Sequence, residues 1–280
     1  MKPTTAVIFA AGSGTRLLPV TSAVQKELLP ILNRPVVDYV VSDLVAAGIK
    51  RIIFVIRPGQ TGLKDFYLGN AEYDATLERL GKAGERAKLD ALHAQATFEF
   101  VEQPADSGYG TAIPLRLVLP LLDPAEPVVV CTGDDFIFRA DGTSEMTAFI
   151  DSYLQSGAQG ALMALELPEE ALSSYGVLAT AADGGVDYLQ DIVEKPKPGL
   201  APSRLVNVSK YIMSGAQREF VNNVQPRAEV GETYLTDAIV MALPKHSFAV
   251  HPVQGRYLDT GNVASWLEAN NLVYSSLYKK

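Results

Sequence analysis

Short, wholly apolar runs alternate with helix-period segments through the first half of the chain. Ala6-Val7-Ile8-Phe9-Ala10, Ile52-Ile53-Phe54-Val55-Ile56, residues 97–101 and Val128-Val129-Val130-Cys131 read as strands. Runs that are apolar at every position, not at every second one, predict strands covered on both faces, the mark of a parallel sheet between helices. Residues 35–47 place Val36, Val37, Val40, Val41 and Leu44 on one helical face, and Gly48 ends that helix. Residues 59–95 are charged and mostly helical (Leu77, Leu80, Leu89, Leu92), too long for a simple crossover. After Leu167 the pattern turns β-rich. Residues 176–180 and 186–193 flank Asp183-Gly184-Gly185 as a hairpin, and 205–213 reads as a further strand. Helices return at 233–243 and 263–277, with Asn262 as N-cap of the last. The expectation is one α/β domain, a mostly parallel sheet flanked by helices, with a β-rich insertion forming a second wall of a pocket.

Candidate chemistry sits at the ends of the predicted strands. The first runs into Ala11-Gly12-Ser13-Gly14-Thr15-Arg16-Leu17. A glycine-rich turn there is where open α/β sheets bind ligands, and its backbone N–H groups can cradle phosphates. It is neither of two familiar loops. Leu17 stands where a dinucleotide fingerprint needs its third glycine, and no Gly-Lys-Ser/Thr follows at Walker spacing. Arg16 and Lys26, the latter in Lys26-Glu27-Leu28-Leu29-Pro30, instead bracket the turn with two cations suited to a polyphosphate. Glu27 can accept hydrogen bonds from a sugar or base. The plain alternative is a tight strand-to-helix turn with solvated charges.

The fourth strand ends in Thr132-Gly133-Asp134-Asp135. If the first and fourth strands are neighbours, these carboxylates lie beside the glycine loop. Hard oxygen ligands suit Mg2+, which takes one or two carboxylates plus phosphate oxygens and water. Asp259, in a short turn before the last helix, is a second candidate; a turn or capping role is the alternative for all three. Gln103, after the third strand, offers a donor and an acceptor to a ligand. Gly108 and Gly110 beside it allow close backbone approach, or simply a flexible loop. His93, His246 and His251 make no H-x-x-x-H pair, and Cys131 reads as core filling, so no zinc site or covalent nucleophile is expected.

Composition narrows the partners. Twenty-four Lys plus Arg against 32 Asp plus Glu give a net charge of −8, which disfavours polymeric nucleic acid and anionic membranes. No apolar run approaches the roughly 18 residues of a membrane helix. The apolar stretch before Gly12 is too short for a signal peptide. One cysteine means no internal disulfide and fits a reducing, cytoplasmic setting.

Gly12-Ser13-Gly14-Thr15-Arg16, Pro19, Lys26-Glu27 and Leu29-Pro30 together resemble the G-x-G-T-R-x(n)-K-E-x-L-P signature of sugar-phosphate nucleotidyltransferases. Tyr175-Gly176-Val177, Val193-Glu194-Lys195-Pro196-Lys197-Pro198 and the stretch 231–239 extend the likeness. The chain from about 4 to 275 resembles the bacterial UTP–glucose-1-phosphate uridylyltransferase branch. The resemblance implies a Rossmann-like nucleotidyltransferase fold in a single domain, 1–280. Residues 1–167 would mainly bind nucleotide, 168–262 would mainly bind sugar, and 263–280 would form a terminal helix. It implies uridylyl transfer from UTP to glucose 1-phosphate, giving UDP-glucose and pyrophosphate.

Carried over by position, Ala11, Gly12, Ser13, Gly14, Thr15, Glu27, Gln103 and Gly108 bind the nucleotide. Gly176, Glu194 and Lys195 bind the sugar phosphate. Asp134 and Asp259 hold Mg2+. Arg16, Lys26, Asp134 and Lys195 form the catalytic set. Asp135 matches a second acidic position. The sequence departs from the commoner forms at Ser107, Thr111, Tyr234 and Asn207-Val208-Ser209-Lys210, and Leu258-Asp259-Thr260-Gly261 looks more like the thymidylyltransferases. The alternatives are a dTTP- or CTP-dependent enzyme, or a catalytically silent nucleotide-sugar sensor, which would have lost Lys26, Asp134 or Lys195. The resemblance further implies small-molecule substrates, no nucleic acid or membrane partner, and a homodimer or homotetramer. Trp266, Leu267, Val273, Tyr274 and Leu277 of the terminal helix would pack either on a second subunit or on their own domain.

Overall fold

The computed structural model describes residues 1–84, 91 and 93–278. Its strands are β1 (Thr5–Ala10), β2 (Pro30–Ile31), β3 (Arg34–Pro35), β4 (Arg51–Ile56), β5 (Thr97–Glu102), β6 (Val128–Thr132), β7 (Asp135–Phe138), β8 (Gly160–Glu166), β9 (Gly176–Asp183), β10 (Val186–Glu194), β11 (Leu205–Met213), β12 (Phe248–Pro252) and β13 (Arg256–Asp259). The helices are α1 (Val36–Ala46), α2 (Gly62–Leu68), α3 (Ala71–Arg79), α4 (Ala112–Val118), α5 (Glu145–Ser156), α6 (Gly215–Arg218), α7 (Leu235–Ala242) and α8 (Val263–Tyr278).

A nine-stranded sheet, ordered β5-β4-β1-β6-β11-β8-β12-β10-β9, runs through the molecule. The α/β class with a β-rich segment stands, and the parallel run has limits. β5, β4, β1 and β6 are parallel, as are β8 and β12, while β11 enters antiparallel between β6 and β8. The β-rich segment thus extends the same sheet. Its hairpin β9–β10 turns on Gly184 and Gly185, both at positive φ, the backbone that a two-residue hairpin turn needs.

Every residue of β1 is buried, which is why its sequence is apolar without alternation. One face packs Ile8, Ile52 and Phe54 on Val37, Val41 and Leu44 of α1. The other packs Val7, Ile53 and Val130 on Leu115 of α4 and Ile239 of α7. Cys131 is fully buried among the first group. The charged segment after β4 forms α2 and α3, and α3 buries no side chain. Leu77 is half-buried and Leu80 exposed; Leu89 and Leu92 lie outside the described residues.

One expectation is corrected. Asp259 does not sit in a turn. It ends β13, which pairs with β7 so that Asp259 lies opposite Asp135. Strands of four residues are too short to show a period. α8 packs Ala269 and Val273 inward, Trp266 Nε1 donates to the Pro30 carbonyl at 3.0 Å, and Leu267, Tyr274 and Leu277 face outward. Asn262 caps α8 by accepting the Ser265 N–H at 3.0 Å. Among the described residues no helix is long and apolar enough to cross a membrane.

Candidate active site

The carboxyl ends of β5, β4, β1 and β6 lie side by side, so Gln103, Arg57, Ala11 and Gly133 follow one another along one edge. A cleft of about 1200 Å³ opens there, lined by Ala11, Gln25, Arg57, Gln60, Gln103 and Gly108. A smaller hollow of about 160 Å³ shares Ala11, Gln103 and Tyr109 with it and reaches Gly12, Lys26, Asp134 and Glu232.

The glycine loop leaves β1 into a 3-10 turn, Thr15–Leu17, not into an α-helix, so its N–H groups are presented by the loop itself. Gly14 is left-handed (φ 64°), and its carbonyl accepts the Thr21 hydroxyl at 2.8 Å. Lys26 crosses Gly12 so closely that a Cβ there would stand 2.9 Å from its Cε. Ser13, Thr15 and Arg16 are exposed. Glu27 is buried beside Lys26. It is 1% exposed and lines neither hollow. Burial pushes its carboxyl up to about 8, against the pull of Lys26 3.8 Å away.

Asp134 and Asp135 follow β6, and Asp259 lies opposite Asp135. Asp134 Oδ2 accepts from Lys26 Nζ at 2.6 Å. Burial opposes ionisation, but the Lys26 ammonium overcomes it and holds the Asp134 carboxyl below its ordinary value. Asp135 turns inward and is held by Lys210 Nζ at 2.5 Å, Tyr257 OH at 2.8 Å and the Thr132 hydroxyl at 2.5 Å. The Asp134 carbonyl accepts the Thr260 N–H and hydroxyl, which ties β13 to the same corner. Asp259 Oδ1 accepts the Gly261 N–H at 2.8 Å. Burial first, and then the charges of Asp135 and Asp134, raise its carboxyl.

The sugar-side residues reach this edge through the sheet. β11 runs antiparallel to β6 with Lys210 opposite Cys131, and pairs Val206 with Val177 of β9. That register brings Gly176, at the start of β9, to the carboxyl end of β6. Glu194 pairs with Gly176 across the hairpin and accepts the Thr236 hydroxyl at 2.7 Å. A Cβ on Gly176 would stand 2.9 Å from Glu194 Oε1, so the glycine leaves room for that carboxylate. Lys195 sits just beyond β10 with φ 46°, unusual for a side chain with a Cβ, and its N–H donates to the Tyr175 carbonyl at 2.9 Å. Its ammonium lies 5.8 Å from the Tyr234 ring, and Arg227, paired with Asp237, lies 4.8 Å from the same ring.

One joint connects the two walls. Thr233 N–H donates to the Tyr109 carbonyl at 2.9 Å, and Ala112 N–H to the Thr233 carbonyl at 3.0 Å. Gly110 fits between them only because it lacks a Cβ, which would stand 2.3 Å from the Thr233 carbonyl oxygen. Thr111 accepts the Leu235 N–H at the start of α7. Gln103 Nε2 donates to the Gly108 carbonyl at 3.3 Å, shaping the loop on which both sit.

The structure therefore gathers the glycine loop, Lys26, Gln103, Gly108, Asp134 and Asp259 at one edge, with Gly176, Glu194 and Lys195 on the facing wall. Glu27 is buried, with its carboxylate 3.8 Å from the Lys26 ammonium. Arg57 lines the cleft and belongs to no motif; it follows the second apolar strand as Gln103 follows the third. Lys210, in the stretch that departs from the commoner form, is buried within β11 and holds Asp135. Both positions were visible signals.

A doubly covered sheet with a phosphate-sized glycine loop, two flanking cations and paired carboxylates defines a nucleotidyl-transferring class. The chain belongs to the nucleotidyl transferase family, whose profile matches residues 5–276. It is 30% identical over 272 residues to a UTP–glucose-1-phosphate uridylyltransferase of Pseudomonas aeruginosa, covering 96% of this chain and 95% of that protein. It superposes on a UDP-glucose pyrophosphorylase complexed with UDP-glucose (TM-score 0.84, 25% identity, 98% of this chain and 99% of that one). A UTP-bound enzyme of the same kind from Acinetobacter baumannii gives a TM-score of 0.86 at 27% identity, over 99% and 95% of the two chains.

Proposed function

We propose that the protein transfers the uridylyl group of UTP to glucose 1-phosphate, giving UDP-glucose and pyrophosphate. The single observation that carries this reading is the placement of Gln103, Gly12, Lys26 and Asp134 around one hollow that opens on the cleft, with Glu194, bonded to Thr236, beyond the joint at Gly110 and Thr233.

The pyrimidine lies against Gln103, Gly108 and Ala11. The triphosphate lies along Gly12, Ser13, Gly14 and Thr15. Gly176 and Glu194 orient the glucose hydroxyls, and Lys195 fixes the sugar phosphate. One phosphate oxygen attacks the α-phosphorus in line, and the bond to the β-phosphate oxygen breaks. The attacking oxygen is already anionic, so no general base is needed, and catalysis is positioning with charge neutralisation. Arg16 and Lys26 neutralise the departing pyrophosphate.

A divalent cation, Mg2+ by the hardness of its ligands, suits this corner. Among the described residues no three His, Cys, Asp or Glu side chains converge as a metal cluster. Two carboxylates with substrate phosphate oxygens are nonetheless an ordinary Mg2+ set. Burial, and then the charges of Asp135 and Asp134, raise the Asp259 carboxyl, and a cation held by Asp134 and Asp259 would relieve that repulsion and would supply charge neutralisation at the α-phosphate.

Residues 1–167 then serve mainly the nucleotide and 168–262 mainly the sugar. We further propose a cytoplasmic homodimer or homotetramer, using the outward Leu267, Tyr274 and Leu277 of α8; light scattering on the purified protein measures its mass. Lys195→Ala tests the sugar side: the KM for glucose 1-phosphate rises and kcat falls, with the UTP KM little changed. An unchanged sugar-phosphate KM removes Lys195 from the site.

A further inference from the structure

The cations assigned above to the phosphates do not lie free. Lys26 Nζ stands 2.6 Å from Asp134 Oδ2, and Lys26 is only 17% exposed. Arg16 bends over Gly261: a Cβ built there would be 2.7 Å from Arg16 Nη2 and 2.9 Å from Asp259 Oδ1. Each phosphate-binding cation therefore rests on or beside one of the two carboxylates assigned to the metal. The Lys26 ammonium occupies Asp134 Oδ2, and a divalent cation brought to the same carboxylate would face a like charge close by in a part-buried site. Asp135 plays no part in this competition, because Lys210, Tyr257 and Thr132 hold it from the interior.

We propose that Lys26 and Arg16 are internal counter-ions that close the metal carboxylates in the free protein, and that they leave Asp134 and Asp259 for the arriving triphosphate. The vacated carboxylates then accept the divalent cation. The inference rests on the functional reading above and goes beyond it by making metal and nucleotide binding one coupled event. Metal alone binds weakly. Nucleotide raises metal affinity, and metal raises nucleotide affinity by the same factor, as linkage requires. The residue that helps turnover is thus the one that opposes metal binding to the free protein.

The experiment measures Mn2+ binding by electron paramagnetic resonance, with and without a non-reactive α,β-methylene UTP. The wild type should bind Mn2+ at least tenfold more tightly with the analogue than without it. Lys26→Met should bind Mn2+ at least tenfold more tightly than wild type when no nucleotide is present, with the gain from the analogue reduced. Arg16→Met, at an exposed position, should show the same change to a smaller degree. If Lys26→Met does not fold, Lys26→Gln carries the test. Free-protein Mn2+ affinity that is unchanged or weaker in the Lys26 variant overturns the proposal. Asp134→Asn separates the two claims. If it abolishes Mn2+ binding while the Lys26 variant binds no tighter, the exchange alone fails. If it binds Mn2+ like wild type, the metal assignment fails with it.

Discussion

Glu145 holds the strand that carries Asp259, and replacing it with alanine should cost the protein a large part of its stability. The residue opens α5 and has no exposed surface. Its carboxylate accepts the N–H groups of Gln254 at 2.8 Å and Gly255 at 2.9 Å, and Arg139 Nη1 at 3.1 Å, with His251 Nε2 at 3.4 Å. Gln254 and Gly255 lead directly into β13. Alanine leaves the Gln254 and Gly255 N–H groups without this acceptor and takes one partner from Arg139, which keeps Asp141 and Gln254. Breaking a buried charged cluster by removing one member costs about 3–5 kcal/mol. At roughly 2–4 °C per kcal/mol for a chain of this size, Tm should fall by about 10 °C.

The same contacts set an acid dependence. Burial works to raise the Glu145 carboxyl, but His251, the Gln254 N–H, Arg139 and the Gly255 N–H outweigh it and hold it at about 2, below its ordinary 4.5. A lowered carboxyl contributes stability above the unfolded value and loses it as pH falls through the folded value. Between pH 4.5 and 2 the wild type should therefore lose about 3 kcal/mol through this one group. Urea unfolding followed by circular dichroism at intervals from pH 7 to 2.5 measures both effects. Loss of less than about 1 kcal/mol in Glu145→Ala at pH 7 would refute the clamp. Glu145→Gln retaining the whole acid slope would refute the assignment of that slope to Glu145.

Other positions follow from the backbone and the buried charges. Ser209 sits in the β11 irregularity at φ 53°, so Ser209→Gly should stabilise by about 1 kcal/mol with activity unchanged; a drop in Tm contradicts the strain. Gly110→Ala forces a Cβ against the Thr233 backbone at the joint between the two walls. It should lower kcat/KM roughly 100-fold, with KM raised for both substrates, and near-normal kinetics would dismiss the joint. Glu27, pushed by burial up to about 8, favours the folded state only while protonated, so its contribution is lost as pH rises from 4.5 through 8. Glu27→Gln should therefore flatten the alkaline loss of stability in urea titrations, and an unchanged profile up to pH 9 would speak against a protonated Glu27.

The parallel half of the fold was legible because β1, β4 and β6 are buried on both faces and spell that burial as unbroken Val and Ile. β8 and β12 lie deep in the same sheet and escaped, since Gly160–Glu166 and Phe248–Pro252 mix alanine, histidine and proline into short runs with no clear period. The glycine loop, Lys26 and Asp134 were legible because three kinds of residue stand at strand ends at fixed offsets. The burial of Glu27 was not: the 3-10 turn Lys26–Leu28 carries it into the interior, with its carboxylate still 3.8 Å from the Lys26 ammonium. The inward hold on Asp135 needed Lys210 and Tyr257, which are distant in sequence and meet only through β11 and β13.

The central claim is the transfer itself. Pyrophosphate release should be measured with glucose 1-phosphate and Mg2+, offering UTP, dTTP, CTP, ATP and GTP separately, for wild type and Asp134→Asn. The account predicts turnover with UTP above the other four, formation of UDP-glucose in equal amount, and a loss of kcat of at least 100-fold in Asp134→Asn. Absence of pyrophosphate release with UTP, or near-wild-type turnover by Asp134→Asn, would contradict it.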